Sequence, residues 1–547
     1  MWGYAVPWRR SVAAAELRWL VIGLVAGLSL TVAGLSLTAC GGSAAPHHAH
    51  ASAASRGRGR ADFRWLVAIR GAPPSVAAEN RRPGTRAWRL PGPAADVGGR
   101  AHGSVSGYVS RPTVRPGQTE RIYVSAPGAR RIRIAVFRIG WYRGRGGREV
   151  LRTGWLAARF QPPCNHSFRS GVTRCRWHAT LSFVIPPALP SGVYIAKLST
   201  PRAARDCLFV VRSLRPAPLL VQIPTATYEA YNAWGGDSLY PGGVLRVAVT
   251  ETNQGHAVSY ARPYDSLTGA GQFFARDVAM VRFLERYGYP VSYTSSESVD
   301  AEPAQVLGHR AVLDIGHSEY WSARQRRAFA RALQTGTSLL FFSSDLLAEP
   351  VRFAHPTGAG DAPTIIAEGG AAAGAGGLAR GDRFRRLSAA LTGSAYLGCI
   401  TPRLPGTGPP TYRYYGWSPA PTLQPGWLFR HTGMRRDSTL PGIVGYELDA
   451  RTPASPPGAQ VIGGGSAPCM APTRTDPGEA LLGTGAGEAQ TTLYTARSGA
   501  IVFNTGTLGW ELGLQPVPSA SPSAPRRPER QLVALTRNLL AYVLHRR

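Results

Sequence analysis

Short apolar runs alternate with stretches of helical spacing along the C-terminal part of the chain. Leu219 to Ile223, Pro290 to Thr294, Ala311 to Ile315 and Ser338 to Phe342 read as strands, and apolar positions recur at helical spacing over 272–287 and 322–335. Strands that alternate with helices predict an α/β domain with a parallel, doubly wound sheet. Later strands are expected at "GIVGYEL" and "GAIVFN", and after a Pro/Ser linker an amphipathic helix runs from about Pro528 to Leu544. From Ser104 to about Leu214 the period drops to two. "RIRIAVFRI" alternates from Arg131 to Ile139, and "PGQ", "APG" and "LPSG" supply turns at short spacing, which predicts a β-sandwich of immunoglobulin-like type. The aromatic loop around Trp141 and Tyr142 reads as a packed hairpin, with ligand contact as the alternative.

One connection breaks the pattern. From Pro224 to about Gly271, between the first strand and the first helix of the α/β region, the chain carries Tyr228, Tyr231, Tyr240, Tyr260 and Tyr264. A loop of this length is functional or disordered, and this one is too aromatic to be disordered. It is expected to pack over the crevice at the carboxyl ends of the strands, where open α/β sheets bind ligands. The strand from Ala311 ends at Gly316 and meets His317-Ser318-Glu319-Tyr320-Trp321 before the next helix, so His317 and Glu319 fall at that crevice. The plainer reading makes Glu319 a helix N-terminal carboxylate and His317 a structural histidine.

The N-terminus changes the compartment. Arg9, Arg10 and Arg18 precede an uncharged stretch from Trp19 to Ala39, and Leu37-Thr38-Ala39-Cys40 follows the pattern of a lipoprotein signal with Cys40 as the lipidated residue. Export, with a lipid anchor on the outer face of the membrane, is the expectation; a retained membrane span is the alternative. From Gly41 to about Gly103 the composition of a tether prevails, with "FRWLVAI" from Phe63 as a short strand or docking segment inside it. The chain thus divides into a signal (1–40), a tether (41–103), a sandwich (104–214) and an α/β domain (215–547).

Charge and cysteines fit an envelope protein. The formal charge of +31 comes almost wholly from arginine, spread along the 547 residues with no compact basic run except "RGRGR" in the tether, so nucleic acid is not the expected partner and an anionic envelope surface is. Besides Cys40 there are Cys164, Cys175, Cys207, Cys399 and Cys469; Cys164 with Cys175 and Cys399 with Cys469 are candidate disulfides, although spacing does not fix connectivity. Cys207 in "DCLFVV" reads as a buried, inert thiol.

Six motifs, "TYEAYNAWGGDSLY", "RPYD", "LERYGYPVSY", "LDIGHSEYWS", "GIVGYELD" and "VFNTGTLGW", in this order between Pro218 and Trp510, resemble the large (β) subunit of N,N-dimethylformamidase and its broader family. The resemblance implies an α/β domain similar to class I glutamine amidotransferases, without their cysteine nucleophile. It also implies a mononuclear ferric ion held by two tyrosines and a glutamate. Residue by residue, these are Tyr231 of "AYN", Tyr264 of "RPY" and Glu319 of "HSE", with His317 beside the metal-bound water and Glu447 of "GYELD" as the second acid or base; Tyr228 is second choice for the first phenolate. Phenolate and carboxylate are hard donors suited to Fe(III), whose charge deprotonates a tyrosine that alone titrates near pH 10.

The implied activity is metal-assisted hydrolysis of an amide C–N bond in a small substrate. The family's enzyme works with a small subunit that this chain does not contain, and a homo-oligomer is possible. Two other readings compete. Gly316-His317-Ser318-Glu319-Tyr320 imitates a nucleophile elbow up to its last residue, which would make Ser318 a hydrolase nucleophile. A catalytically silent envelope protein would instead bind a glycan or peptide through the sandwich and the aromatic lid.

Overall fold

Leu219, Val221, Ile223, Leu313, Ile315, Leu340 and Phe342 pack into one apolar cluster, whereas Leu220, Val312, Leu339 and Phe341 pack into another. Alternate residues of the same strands face opposite sides, and both sides are dry, as central parallel strands require. The helices Val278–Arg286 and Arg530–His545 cover one side, and Ala323–Gln334 covers the other.

The computed structural model describes residues 63–90, 105–167, 169–240, 255–266, 268–356, 362–368, 376–404, 412–470, 485–517 and 521–545. Arg60–Arg547 forms one compact unit. The signal, Cys40 and the first part of the tether lie outside the described residues, and among those described no helix is long and apolar enough to cross a membrane.

The main sheet has nine strands among the described residues. Their order is Val291–Ser295, Leu219–Ile223, Ala311–His317, Ser338–Ser344, Ile501–Asn504, Ala486–Thr495, Gln460–Pro468, Tyr415–Pro419 and Leu440–Val444. The first five are parallel to one another, and the rest pair antiparallel. The all-parallel expectation therefore holds for one half only. The turn Ala496–Gly499 explains the reversal: Ala496 N–H donates to Ala500 C=O at 2.8 Å, and so tight a connection permits only an antiparallel hairpin.

Two helix boundaries also moved. Residues 272–277 are turns and the helix starts at Val278, because Asp277 at its N-cap position gives its carboxylate to the Tyr228 hydroxyl instead of capping. The next predicted helix spans Ala323–Gln334 and is capped by Ser322, whose Oγ accepts from Gln325 N–H at 2.9 Å, so Ser322 and not Ser318 is the cap.

Ahead of this sheet, two others enclose a core that includes Ile122, Val124, Ile134, Val136, Leu181, Phe183 and Phe209. The larger runs Phe63–Trp65, Gly147–Thr153, Arg131–Ile139, Gly192–Ser199, Ala204–Val211 and Thr113–Val114, with Leu156–Ala157 beside Arg131–Ile139; the smaller runs Ala179–Val184, Thr119–Ser125 and Ser106–Val109. Part of the stretch read as tether thus belongs to the fold. Phe63–Trp65 adds an edge strand, and Asn80 and Glu79 from the helix Val76–Asn80 enter a buried polar junction. At that junction Arg138 and Glu285 form a fully buried bidentate pair at 2.7 and 2.8 Å, which ties the sandwich to the α/β core. Tyr142 is buried there and donates to Glu79 Oε1 at 2.9 Å, so the aromatic loop is packed.

Candidate functional site

The parallel strands give the site its position. Chain order along the sheet is second, first, third, fourth, so connections leave in opposite directions from Leu219–Ile223 and Ala311–His317. A crevice opens at the carboxyl ends of two such strands. The helix Thr225–Ala230 and Tyr231 follow the first of them, and His317 ends the second.

Gly316 makes the end of this strand possible. Its φ is +68°, and a Cβ there would lie 1.9 Å from Asp277 Oδ1. Beyond it, Thr227 Oγ1 accepts from Glu319 N–H at 3.0 Å and Tyr320 N–H at 3.2 Å, which fixes the turn that carries Glu319.

Three carboxylates converge on one imidazole. His317 Nε2 lies 3.1 Å from Glu447 Oε2, 3.3 Å from Glu319 Oε2 and 3.8 Å from Asp345 Oδ2. On the other edge, Nδ1 faces Gln272 Oε1 at 3.2 Å and the Tyr446 hydroxyl at 3.4 Å. The Tyr231 ring stands 5.4 Å from the imidazole, and its hydroxyl is near enough to Glu319 to offset part of the rise in that carboxyl's pKa; Tyr240 stacks on Tyr231 at 4.8 Å. His317, Glu319, Asp345 and Glu447 are all buried.

Burial opposes charge on His317, yet the negative charge of Glu447 and the close carboxylates of Asp345 and Glu319 hold its pKa well above the ordinary value. Burial raises Glu319, partly offset by His317, and raises Asp345 strongly, helped by the charges of Glu319 and Glu447. Even with His317 protonated, three ionised carboxylates would leave a net negative pocket. His317 Nε2, Glu319 Oε2, Asp345 Oδ1 and Glu447 Oε2 are all buried, and none of them makes a well-directed hydrogen bond among the described residues, close as the imidazole nitrogen lies to the carboxylates. Donor atoms of His317, Asp345 and Glu447 lie within 4.8 Å of one another. Such an excess of buried, unsatisfied oxygen fits a multivalent cation.

Of the residues singled out from sequence, Tyr231, His317, Glu319 and Glu447 are brought together. Tyr264 is not in that cluster. Arg205 Nη2 donates to Tyr264 C=O at 2.7 Å, the Tyr264 ring meets Tyr228 edge-on at 6.5 Å, and the charges around its hydroxyl are those of Glu229, Glu297 and Arg262. Ser318 also points elsewhere: its hydroxyl donates to Asp314 Oδ1 at 3.1 Å and accepts from Trp321 Nε1 at 2.9 Å.

Asp345 was missed, although the rule that found His317 also finds it. It directly follows the strand Ser338–Ser344, whose Ser344 pairs with His317. Its backbone N–H donates to Asp449 Oδ1 at 2.8 Å, so the last acid of "GYELD" braces it.

"GIVGYELD" is not one strand. Leu440–Val444 ends the main sheet, and Glu447–Ala450 pairs instead with Ala395–Ile400. On a continuous strand Tyr446 and Glu447 would face opposite sides; the break lets Tyr446 reach one nitrogen of His317 and Glu447 the other. Gly445 sits at the break with φ +145°, and a Cβ there would be 2.9 Å from Arg413 C=O. Gly445→Ala is therefore expected to cost about 1–3 kcal/mol by thermal denaturation and to lower activity further than that loss explains, since both contacts to His317 depend on the break. The partner strand is braced in turn: Cys399, opposite Leu448, is disulfide-bonded to Cys469. Cys164 and Cys175 form a second disulfide, and Cys207 is a buried free thiol whose pKa burial pushes up.

Residues 133–524 match the profile of the family described as N,N-dimethylformamidase beta subunit-like, C-terminal. The chain belongs to this family. The matched region begins inside the strand Arg131–Ile139, so the dimethylformamidase-like segment includes most of the sandwich, well beyond the motifs between Pro218 and Trp510. No curated protein matches the chain significantly. Among solved structures, a carbohydrate acetylesterase from Xanthomonas citri aligns at 10% identity and a TM-score of 0.13 over 71% of this chain and 95% of that one, a likeness too slight to bear on fold or activity.

Proposed function

We propose that this dimethylformamidase-like protein is a metal-dependent hydrolase that cleaves the C–N bond of a small linear amide, with a mononuclear Fe(III) at the His317 cluster. The observation that carries the reading is the convergence of three buried carboxylates and a tyrosine on one imidazole at the strand switch point. Glu319 and Tyr231 would hold the ion, and Asp345 would supply the third hard oxygen donor in place of Tyr264. Bound there, a ferric ion supplies Lewis acidity toward the amide carbonyl and toward water.

The side chains do the rest. Glu447 takes the proton of the attacking water, and His317, held by Gln272 and Tyr446 so that Nε2 faces the carboxylates, passes a proton to the departing amine. Water adds as hydroxide to the carbonyl carbon, the C–N bond breaks, the amine leaves as the neutral species with the proton from His317, and the proton held by Glu447 returns to His317, 3.1 Å away. Burial of all four groups keeps bulk water away from the reacting bond.

The same reading extends to fold and place. An immunoglobulin-like sandwich ahead of an amidotransferase-like α/β domain is supported by the two-sheet core and by the strand order. Export with a lipid at Cys40 is supported by two disulfides among the described residues, which oxidising compartments favour. The test is metal analysis and the visible spectrum of the purified protein, followed by a screen of simple amides. Stoichiometric iron with phenolate charge-transfer absorption supports the reading; a colourless protein that takes up no ion at this site sinks it.

Serine chemistry is disfavoured by the Ser318 contacts. Ser318→Ala is expected to retain most activity and to cost about 1 kcal/mol, the hydrogen bond to Asp314. Loss of nearly all turnover with iron retained would reinstate Ser318 as nucleophile.

A further inference from the structure

Arg138 and Arg262 are fully buried, and each holds a carboxylate, Glu285 and Glu229 respectively. Arg276, at the wall of the His317 site, holds none among the described residues. Its backbone N–H donates to Gln272 C=O at 3.1 Å, so the turn that brings Gln272 to His317 Nδ1 carries Arg276 as well. Its guanidinium carbon lies 4.4 Å from the centre of the Tyr446 ring, whose hydroxyl reaches the same nitrogen of His317. Tyr412 stacks on Tyr446 at 4.2 Å, and the exposed Arg403 lies over Tyr412 at 5.8 Å. Rings and guanidinium groups thus lead from the imidazole to the surface, with Arg276 one ring away from His317.

The guanidinium is only partly used. Nη1 donates to the Tyr414 hydroxyl at 3.0 Å, whereas Nε is buried without a partner, which leaves the Nε–Nη2 edge unengaged among the described residues. The charges of Glu447, Asp277 and Glu511 act on Arg276, yet none of these acids bonds to it. A guanidinium drawn out of water is costly without a partner, and its Nε–Nη2 edge matches a carboxylate through two parallel N–H···O bonds. We propose that Arg276 is a specificity-determining residue that receives a carboxylate of the substrate, so that the amide cleaved carries a carboxylate a few bonds from its C–N bond, as an N-acylated amino acid does. This rests on the hydrolase reading of the His317 cluster and gives it a substrate class. It also accounts for how an anion approaches a pocket built from Glu319, Asp345 and Glu447, since the cation on the wall offsets their repulsion.

The test compares N-acetylglycine, N-acetyl-β-alanine and N-acetyl-4-aminobutyrate with their methyl esters on the purified protein, reading binding by calorimetry and amine release as kcat and KM. The best of the acids is expected to bind, and to be turned over in kcat/KM, at least about tenfold better than its ester. Arg276→Gln should erase that preference, chiefly by raising KM for the acid, and Arg276→Lys, which keeps the charge without the fork, should recover only part of it. Should Arg276→Gln fold poorly, Arg276→Lys carries the same comparison. Equal binding of acids and esters by the unaltered protein overturns the proposal. A loss in Arg276→Gln that falls equally on acid and ester overturns it too, and leaves the guanidinium as a counter-charge to Glu447, Asp277 and Glu511. A protein without iron or turnover that still binds the acids through Arg276 upholds the carboxylate subsite and sinks the hydrolase reading alone; turnover of amides with no preference for the acid sinks the subsite alone.

Discussion

Glu447→Gln is expected to lower turnover of an amide substrate by roughly 10²- to 10⁴-fold, the usual contribution of a positioned acid or base, while the protein stays folded. The amide is isosteric, keeps a hydrogen-bonding oxygen beside His317 and leaves the pairing of Glu447 with Ile400 intact. What it removes is the charge, which is also the largest influence holding the imidazolium on His317. The pH profile should therefore move together with kcat: the limb that belongs to His317 shifts to lower pH in the variant. Iron content separates two roles. If Glu447→Gln loses iron as well as turnover, the carboxylate is a ligand and the base must be sought elsewhere; if it keeps both iron and turnover, the proposed role is wrong.

Much of the crevice could be seen in the sequence, because strands buried on both faces leave continuous apolar runs. Leu219–Ile223 and Ala311–His317 stand where those runs lie, so His317 and Glu319, at the end of the second, were placed by position alone, whereas Tyr231 was picked out of the tyrosine-rich connection by resemblance. Glu447 was different. Local alternation treated "GIVGYELD" as one strand, and nothing in a period of two reveals that the backbone breaks at Gly445 to join two sheets. Asp345 was overlooked for the opposite reason: its signal was present, yet a lone acid after "FFSS" carries no motif. Tyr264, like Tyr231, came from resemblance, and what sets it apart is tertiary: its ring meets Tyr228 and the charges that act on its hydroxyl are those of Glu229, Glu297 and Arg262.

The metal prediction follows from that redirection. Tyr231→Phe and Glu319→Ala are each expected to lose iron by at least tenfold in affinity, because each deletes an oxygen donor at the buried cluster, and Asp345→Asn should do the same. Tyr264→Phe should retain iron and its colour, since the charges that act on its hydroxyl are those of Glu229, Glu297 and Arg262 and its ring packs on Tyr228. Thermal stability offers a second readout that needs no substrate. His317, Glu319 and Asp345 all have raised pKa values in the fold, so the folded protein without metal binds protons that the unfolded chain releases, and its stability falls as pH rises from the unfolded values toward the raised ones. A cation displaces those protons and relieves the repulsion. The rise in melting temperature on adding ferric or another multivalent ion to chelator-treated protein should accordingly be larger at pH 8.5 than at pH 5.5, and should vanish in Glu319→Ala. Iron retained by Tyr231→Phe, Glu319→Ala and Asp345→Asn alike, or lost by Tyr264→Phe alone, would return the second phenolate to Tyr264 and remove the cluster at His317 as the metal site.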